Sequence, residues 1–287
     1  MATEFLAPTS VEEALEALGT DGALALAGGT QVGILIRQGL LEAGRLVWLG
    51  RVEGLRGIAS AHGGLEIGAG VTLAEIAESP LVRDRQPALA AAAARVGNPR
   101  VRSVATLGGH LAHADPRQDL PPVLLALDAV AVVRGPAGER QLPLTELFLG
   151  PFETSLSGDE LLTRVRIPAA PPTRRSGYVR FAPGSETDYA TVGVAACLEL
   201  EDQAVRRLVL GLGGVAGRPL RVEPAGLAGR PVGPELLAVA AEAAVRASDP
   251  ISDQRGSAGY KRAMVGLWTR RALAGLAGDE ADGTAPS

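Results

Sequence analysis

The sequence predicts an α+β protein in two domains, the second an antiparallel sheet with helices on one face, and three observations predict it. Through about the first 170 residues, apolar runs of strand length alternate with runs at helical spacing. A Pro-rich stretch from Ala169 to Thr173 then interrupts the pattern. Beyond it, three strand-like runs follow one another directly before two helical segments.

Ser10 and Glu13 form a capping-box pattern ahead of Val11, Ala14, Leu15 and Leu18, so a short helix opens the fold and Gly19 is suited to stopping it. Ala23 to Leu26 is a compact apolar strand that breaks at Gly28 and Gly29, and Val32, Ile34, Leu35 and Ile36 continue as a helix. Val47 to Leu49 reads as a buried strand, and Leu65, Ile67 and Ala69 alternate as another. Thr72 and Glu75 repeat the capping box, and Leu89 to Val96 is an alanine-rich helix. From Thr106 to Pro122 the text becomes Gly, His, Asp and Pro without periodicity, which predicts a long functional loop.

Ala129 to Val133 and Gln141 to Leu144 flank Gly-Pro-Ala-Gly as a hairpin, and Leu161 to Ile167 is a strand that Pro168 ends. These elements make a first domain of residues 1–170. A second, 174–277, holds strands Tyr178 to Phe181, Val192 to Leu200 and Val205 to Leu212, then helices Pro234 to Arg246 and Ala258 to Leu276. Residues 278–287 are small and polar, the composition of a disordered tail.

Composition narrows the class of function. A formal charge of -4 with scattered Arg leaves no basic stripe for a phosphate backbone, so nucleic acid is not an expected partner. The single cysteine, Cys197, sits in an apolar run as packing and excludes a disulfide framework, a Cys-rich zinc site and any self-contained iron-sulfur cluster. With no signal segment and no long apolar run, the expected location is cytoplasmic, without a membrane anchor.

Aromatic residues are scarce, so glycine placement is the informative feature. Leu26-Ala27-Gly28-Gly29-Thr30-Gln31-Val32 leaves a strand and enters a helix, and successive N–H groups there can converge on phosphate oxygens. Taken alone, the pattern equally fits a plain tight turn, and it is not the spaced triple-glycine dinucleotide fingerprint. A second loop, Thr106-Leu107-Gly108-Gly109-His110, repeats the motif and leads into Leu111 to Pro121, with His113, Asp115, Pro116 and Asp119.

With these two loops the chain resembles the medium, FAD-binding subunits of the carbon monoxide dehydrogenase and xanthine dehydrogenase group, whose flavin domain is like that of vanillyl-alcohol oxidase. The resemblance covers nearly the whole chain. Leu65 to Thr72, Gly158-Asp159-Glu160-Leu161-Leu162 before Ile167-Pro168, Asp188-Tyr189-Ala190, and Ser252 to Ser257 before Tyr260 and Arg262 match further family segments. The resemblance implies two small lobes holding FAD, with both glycine loops on its diphosphate. It also implies Leu162 near the flavin ring and Arg180 as a basic residue beside the cofactor. His110 departs from the usual Asn or Ser, and Pro183-Gly184-Ser185 replaces a stretch that often carries basic residues.

Several of these residues have two readings. His110 and His113, with Asp115 and Asp119 nearby, resemble a metal site but serve better as donors to a diphosphate. Asp119 either caps the chain around Pro121 or accepts hydrogen bonds from FAD, and Asp115 reads as a turn former. Arg180 is either a cofactor contact or a solvated strand residue, and His62 is a surface turn residue.

By the resemblance, the chain passes electrons from two-iron two-sulfur clusters in a small partner subunit to an external acceptor. The molybdenum-pterin cofactor lies in a large subunit, and the assembly is a dimer of heterotrimers. A stand-alone FAD oxidoreductase and a flavin-free scaffold subunit are the alternatives. No set of nucleophile, base and orienting acid stands out, so no catalytic residue is expected in this chain. The sequence does not choose the substrate of the complex or its acceptor among NAD, a quinone, a cytochrome and dioxygen. Replacing Gly28 or Gly109 with Val is expected to weaken FAD binding while leaving folding largely intact.

Overall fold

In the computed structural model, which describes residues 3–277, the chain opens with β1 (Glu4–Leu6), α1 (Val11–Leu18), β2 (Ala23–Leu26), α2 (Val32–Arg37) and β3 (Arg45–Trp48). The strands pair in parallel in the order β1-β3-β2. Ser10 caps α1 by accepting from the Glu13 N–H, whereas the Glu13 carboxylate reaches one residue further back than a capping box requires, to the Thr9 N–H at 2.8 Å. No residue of α2 is buried, and Ile34 and Ile36 face outward.

Next come β4 (Ile58–Ala61), β5 (Gly64–Gly68), α3 (Leu73–Glu78), α4 (Pro80–Arg85), α5 (Pro87–Arg95), α6 (Pro99–Arg102), α7 (Leu107–His113) and α8 (Leu120–Ala126). They are followed by β6 (Val130–Gly135), β7 (Gly138–Pro143), α9 (Leu144–Leu147), β8 (Phe148–Gly150), β9 (Glu153–Thr154) and β10 (Leu161–Ile167). Five of these strands form an antiparallel sheet in the order β4-β5-β10-β6-β7. Thr72 and Glu75 make both arms of the expected capping box at α3, and His62 lies exposed in the β4–β5 turn at φ +51.

The stretch from Thr106 to Pro122 is not the long loop that its composition predicts. It contains α7 and the start of α8. Thr106 caps α7 through its side chain, and Leu107 and Leu111, four positions apart, are fully buried on one face. Each helical glycine costs about 1 kcal/mol in propensity, and burial of the two leucines offsets it. Pro121 and Pro122 stand in the first turn of α8, where no N–H is required.

The carboxy-terminal region holds β11 (Arg174–Phe181), β12 (Val192–Glu201), β13 (Ala204–Gly213), β14 (Leu220–Val222), α10 (Pro234–Ala247) and α11 (Ala258–Ala277). Its antiparallel sheet has the order β11-β12-β13-β14, with β14 as a short edge strand beyond the three expected. Val192, Val194, Ala196 and Leu198 face α10 and α11, while Ala195, Cys197 and Val209 join the core of the first region. Both faces are thus covered, which is why β12 reads as a continuous apolar run. A side chain at Gly211 would meet the Pro122 carbonyl at 1.8 Å, so glycine lets α8 lie directly on β13.

Cys197 is buried in this seam, and desolvation pushes its thiol up to about 11. No helix among the described residues is long and apolar enough to cross a membrane. Residues 278–287, expected as a disordered tail, lie outside the described residues.

Candidate cofactor-binding site

The first glycine loop joins β2 to α2. Gly29 adopts φ +67, which turns successive N–H groups out of the helical direction. Among the described residues, the backbone N–H groups of Gly28, Gly29, Thr30 and Gln31 donate to no protein acceptor. Leu26 through Val32 are all partly exposed, so this is a line of open donors at the surface. Gln31 occupies the cap position of α2 without capping it; its side-chain amide instead donates to the Tyr189 hydroxyl at 2.6 Å.

The second loop spends its donors internally. The Leu107 N–H donates to Val71 and that of Gly108 to Ala69, while Gly109 and His110 donate to the Thr106 hydroxyl and carbonyl. A Cβ on Gly108 would lie 2.7 Å from that of Ala69, whereas Gly109 is exposed. The two loops touch: a Cβ on Gly28 would stand 1.9 Å from the Val104 carbonyl oxygen, and one on Gly109 would stand 3.7 Å from the Ala27 Cβ. Valine at Gly28 therefore cannot leave folding intact, as the sequence alone suggested, because the obstacle is backbone.

His110 is partly buried, and its Nε2 is covered without a partner. Burial drives its imidazole down to about 3, with His113 adding to the shift and Asp115 opposing it, so the ring is neutral near pH 7. His113 is likewise lowered by desolvation, and its ring lies 5.2 Å from that of Phe152. Among the described residues no group of three or more His, Cys, Asp or Glu side chains is placed to hold a metal.

Asp115 is a turn former, accepting from the Arg117 N–H, and it also pairs with the Arg117 guanidinium at 3.1 Å. Arg117 in turn stands 5.0 Å from the Tyr189 ring centre. A chain of contacts thus runs from Asp115 through Arg117 and Tyr189 to Gln31 of the first loop.

The capping reading of Asp119 does not hold, since at the head of α8 its side chain caps nothing. The buried carboxylate accepts from the Tyr178 hydroxyl at 2.6 Å and lies 3.5 Å from Arg180 Nε. Desolvation raises its pKa, opposed by Arg180 and Tyr178, and the buried Tyr178 hydroxyl is pushed upward. Arg180 is not a solvated strand residue: its side chain is buried and donates to the backbone carbonyls of Arg95, Glu186 and Asp188.

Leu162 is buried where β10 shifts register. The next carbonyl, of Thr163, accepts from the Ala69 N–H, so β10 and the second loop both lean on Ala69. No pattern in the sequence marks Tyr189, Arg117 or Tyr178 as a site residue. Tyr189 lies within a family-like segment, but its bond to Gln31 spans 158 positions and leaves no local pattern.

Residues 1–170 match the family of FAD binding domains in molybdopterin dehydrogenase, and residues 177–276 match the CO dehydrogenase flavoprotein C-terminal domain. The nicotine 6-hydroxylase medium subunit of Paenarthrobacter nicotinovorans is 35% identical, with 95% of this chain and 96% of that one covered. The carbon monoxide dehydrogenase medium chain of Hydrogenophaga pseudoflava is 34% identical, at 94% and 95% coverage. A structure of carbon monoxide dehydrogenase from Hydrogenophaga pseudoflava, lacking the Mo-pyranopterin moiety, superposes with a TM-score of 0.93 at 34% identity over 96% of this chain and 97% of that one. The chain belongs to the family of FAD-binding medium subunits of molybdenum hydroxylases, the flavoproteins of carbon monoxide and xanthine dehydrogenases.

Proposed function

We propose that this flavoprotein oxidoreductase subunit holds FAD between its two glycine loops and transfers electrons within a molybdenum hydroxylase complex. The observation that carries the reading is the line of unused N–H donors from Gly28 to Gln31 beside a second glycine loop. Those donors fit the diphosphate, because several N–H groups acting together replace the water that a dianion loses. Gly109 leaves the facing surface free of a side chain, and Thr106 and Gly108 fix its backbone. Ala27 and Val32 flank the open donors.

The neutral His110 and the adjoining His113 add uncharged polar surface at this loop. Leu162 lines the ring side, and Asp119 with Arg180 holds α8, β11 and the 186–188 turn together around it. When bound, FAD stores two electrons that it accepts one at a time. Residues 1–170 form the FAD-holding domain, in two lobes of the vanillyl-alcohol oxidase kind, and residues 174–277 close over it.

The partners in this reading are a small subunit with two-iron two-sulfur clusters and a large subunit with the molybdenum-pterin cofactor, in a cytoplasmic dimer of heterotrimers. One cysteine cannot ligate such clusters, so they must meet this chain across an interface. The test is the visible spectrum of the chain purified with its partners, titrated with FAD and FMN. Stoichiometric, FAD-selective binding is expected; binding of neither flavin would make the chain a scaffold.

A further inference from the structure

The tight turn between β8 and β9 has a conformation its sequence does not favour. Phe152, second of its two turn residues, sits at φ +60, where a bulky L residue is strained and glycine or asparagine is usual. The residue is 56% exposed, so burial does not hold it there. Ala114, which ends α7, is also left-handed, at φ +51.

These two strained residues are joined. The Phe152 N–H donates to the Ala114 carbonyl at 3.0 Å, and the Phe152 ring packs on His113. Strain of this kind persists only where the surroundings over-determine it, and it clusters at functional sites. What it grips here is the far end of α7, whose first turn carries Gly108, Gly109 and His110. The helix is only Leu107 to His113, so a shift at its end moves its first turn with it.

We propose that Phe152 is a positioning residue for FAD: its grip on His113 and Ala114, together with the bonds from Leu107 and Gly108 to Val71 and Ala69, sets where Gly109 stands against Ala27. The inference rests on the FAD reading of the glycine loops and extends it to a residue outside them. In a turn that merely closed a hairpin, glycine would relieve the strain, because it adopts positive φ freely.

The test compares wild type, Phe152→Gly and Phe152→Tyr in the complex purified with its partner subunits, stripped of FAD and titrated back. Thermal melting and the titration of His113 by NMR are read alongside. Phe152→Gly is expected to melt no lower than wild type yet bind FAD about threefold to tenfold more weakly, the size of a lost aromatic contact. Its His113 should titrate closer to an ordinary imidazole, and Phe152→Tyr should restore both readouts. Unchanged FAD affinity in Phe152→Gly overturns the positioning role while leaving the FAD reading intact. Wild type that takes up no FAD overturns both.

Discussion

The two glycine loops look alike as text and differ as physical objects. In Leu26 to Val32 the glycines leave N–H groups open at the surface, whereas in Thr106 to His110 every N–H from Leu107 onward is satisfied by Val71, Ala69 or Thr106. Gly28 and Gly108 are glycine because other protein backbone or side chains come too close, while a Cβ on the exposed Gly109 would stand 3.1 Å from the Thr106 hydroxyl and 3.7 Å from the Ala27 Cβ of the neighbouring loop. A Gly-Gly pair therefore signals close approach, and only the structure tells whether a ligand or the protein itself approaches.

The sharpest way to break this comparison is Gly28→Val. With its Cβ 1.9 Å from the Val104 carbonyl, the variant should force the loops apart, lose FAD binding and destabilise the chain by more than about 3 kcal/mol. Normal melting with normal FAD affinity would show that the loops do not meet as described. Gly108→Ala comes next, at about 1 to 3 kcal/mol of overpacking against Ala69, read by denaturant titration.

The pH dependence from His110 is smaller. Its folded pKa lies below the unfolded value, so the unfolded chain binds more protons and stability falls as pH drops through the window from about 6.5 to about 3. Between pH 7 and pH 5.5 this residue should cost on the order of 1 kcal/mol, and His110→Asn should remove that slope. Equal slopes in the two proteins would refute the buried, neutral imidazole. The smallest stability effect belongs to Gly109→Ala, within about 0.5 kcal/mol because the helix propensity that alanine gains offsets the 3.1 Å approach of its Cβ to the Thr106 hydroxyl. Its FAD affinity should nevertheless fall about tenfold, roughly 1.4 kcal/mol, if a diphosphate passes there; unchanged affinity would assign the cofactor to the first loop alone.

Much of the fold was legible because its signals are local. Thr72 with Glu75 announced a helix start, Gly-Pro-Ala-Gly announced a hairpin, and the run Val192 to Leu200 announced a strand. The region from Thr106 to Pro122 reads as a loop because Gly and Pro are ordinarily breakers, and it folds as α7 and the start of α8. Whether they break depends on Leu107 and Leu111 having a core to enter. The candidate site was legible as two loops and opaque in its side chains: nothing near Asp119 names Tyr178, 59 positions away.

The sequence by itself determined many of the elements in their order, the two glycine loops and the family to which they point. These depend on periodicity, caps and turns, whose partners lie within a few residues. The tertiary structure alone decided which N–H groups stay open, that Asp119 binds Tyr178 and Arg180, and that Gln31 is tied to Tyr189. Those outcomes follow from how β11 and β12 are laid against α5 and α8. A hydrogen bond across 158 positions is set by the packing of whole layers and leaves no trace in the local text.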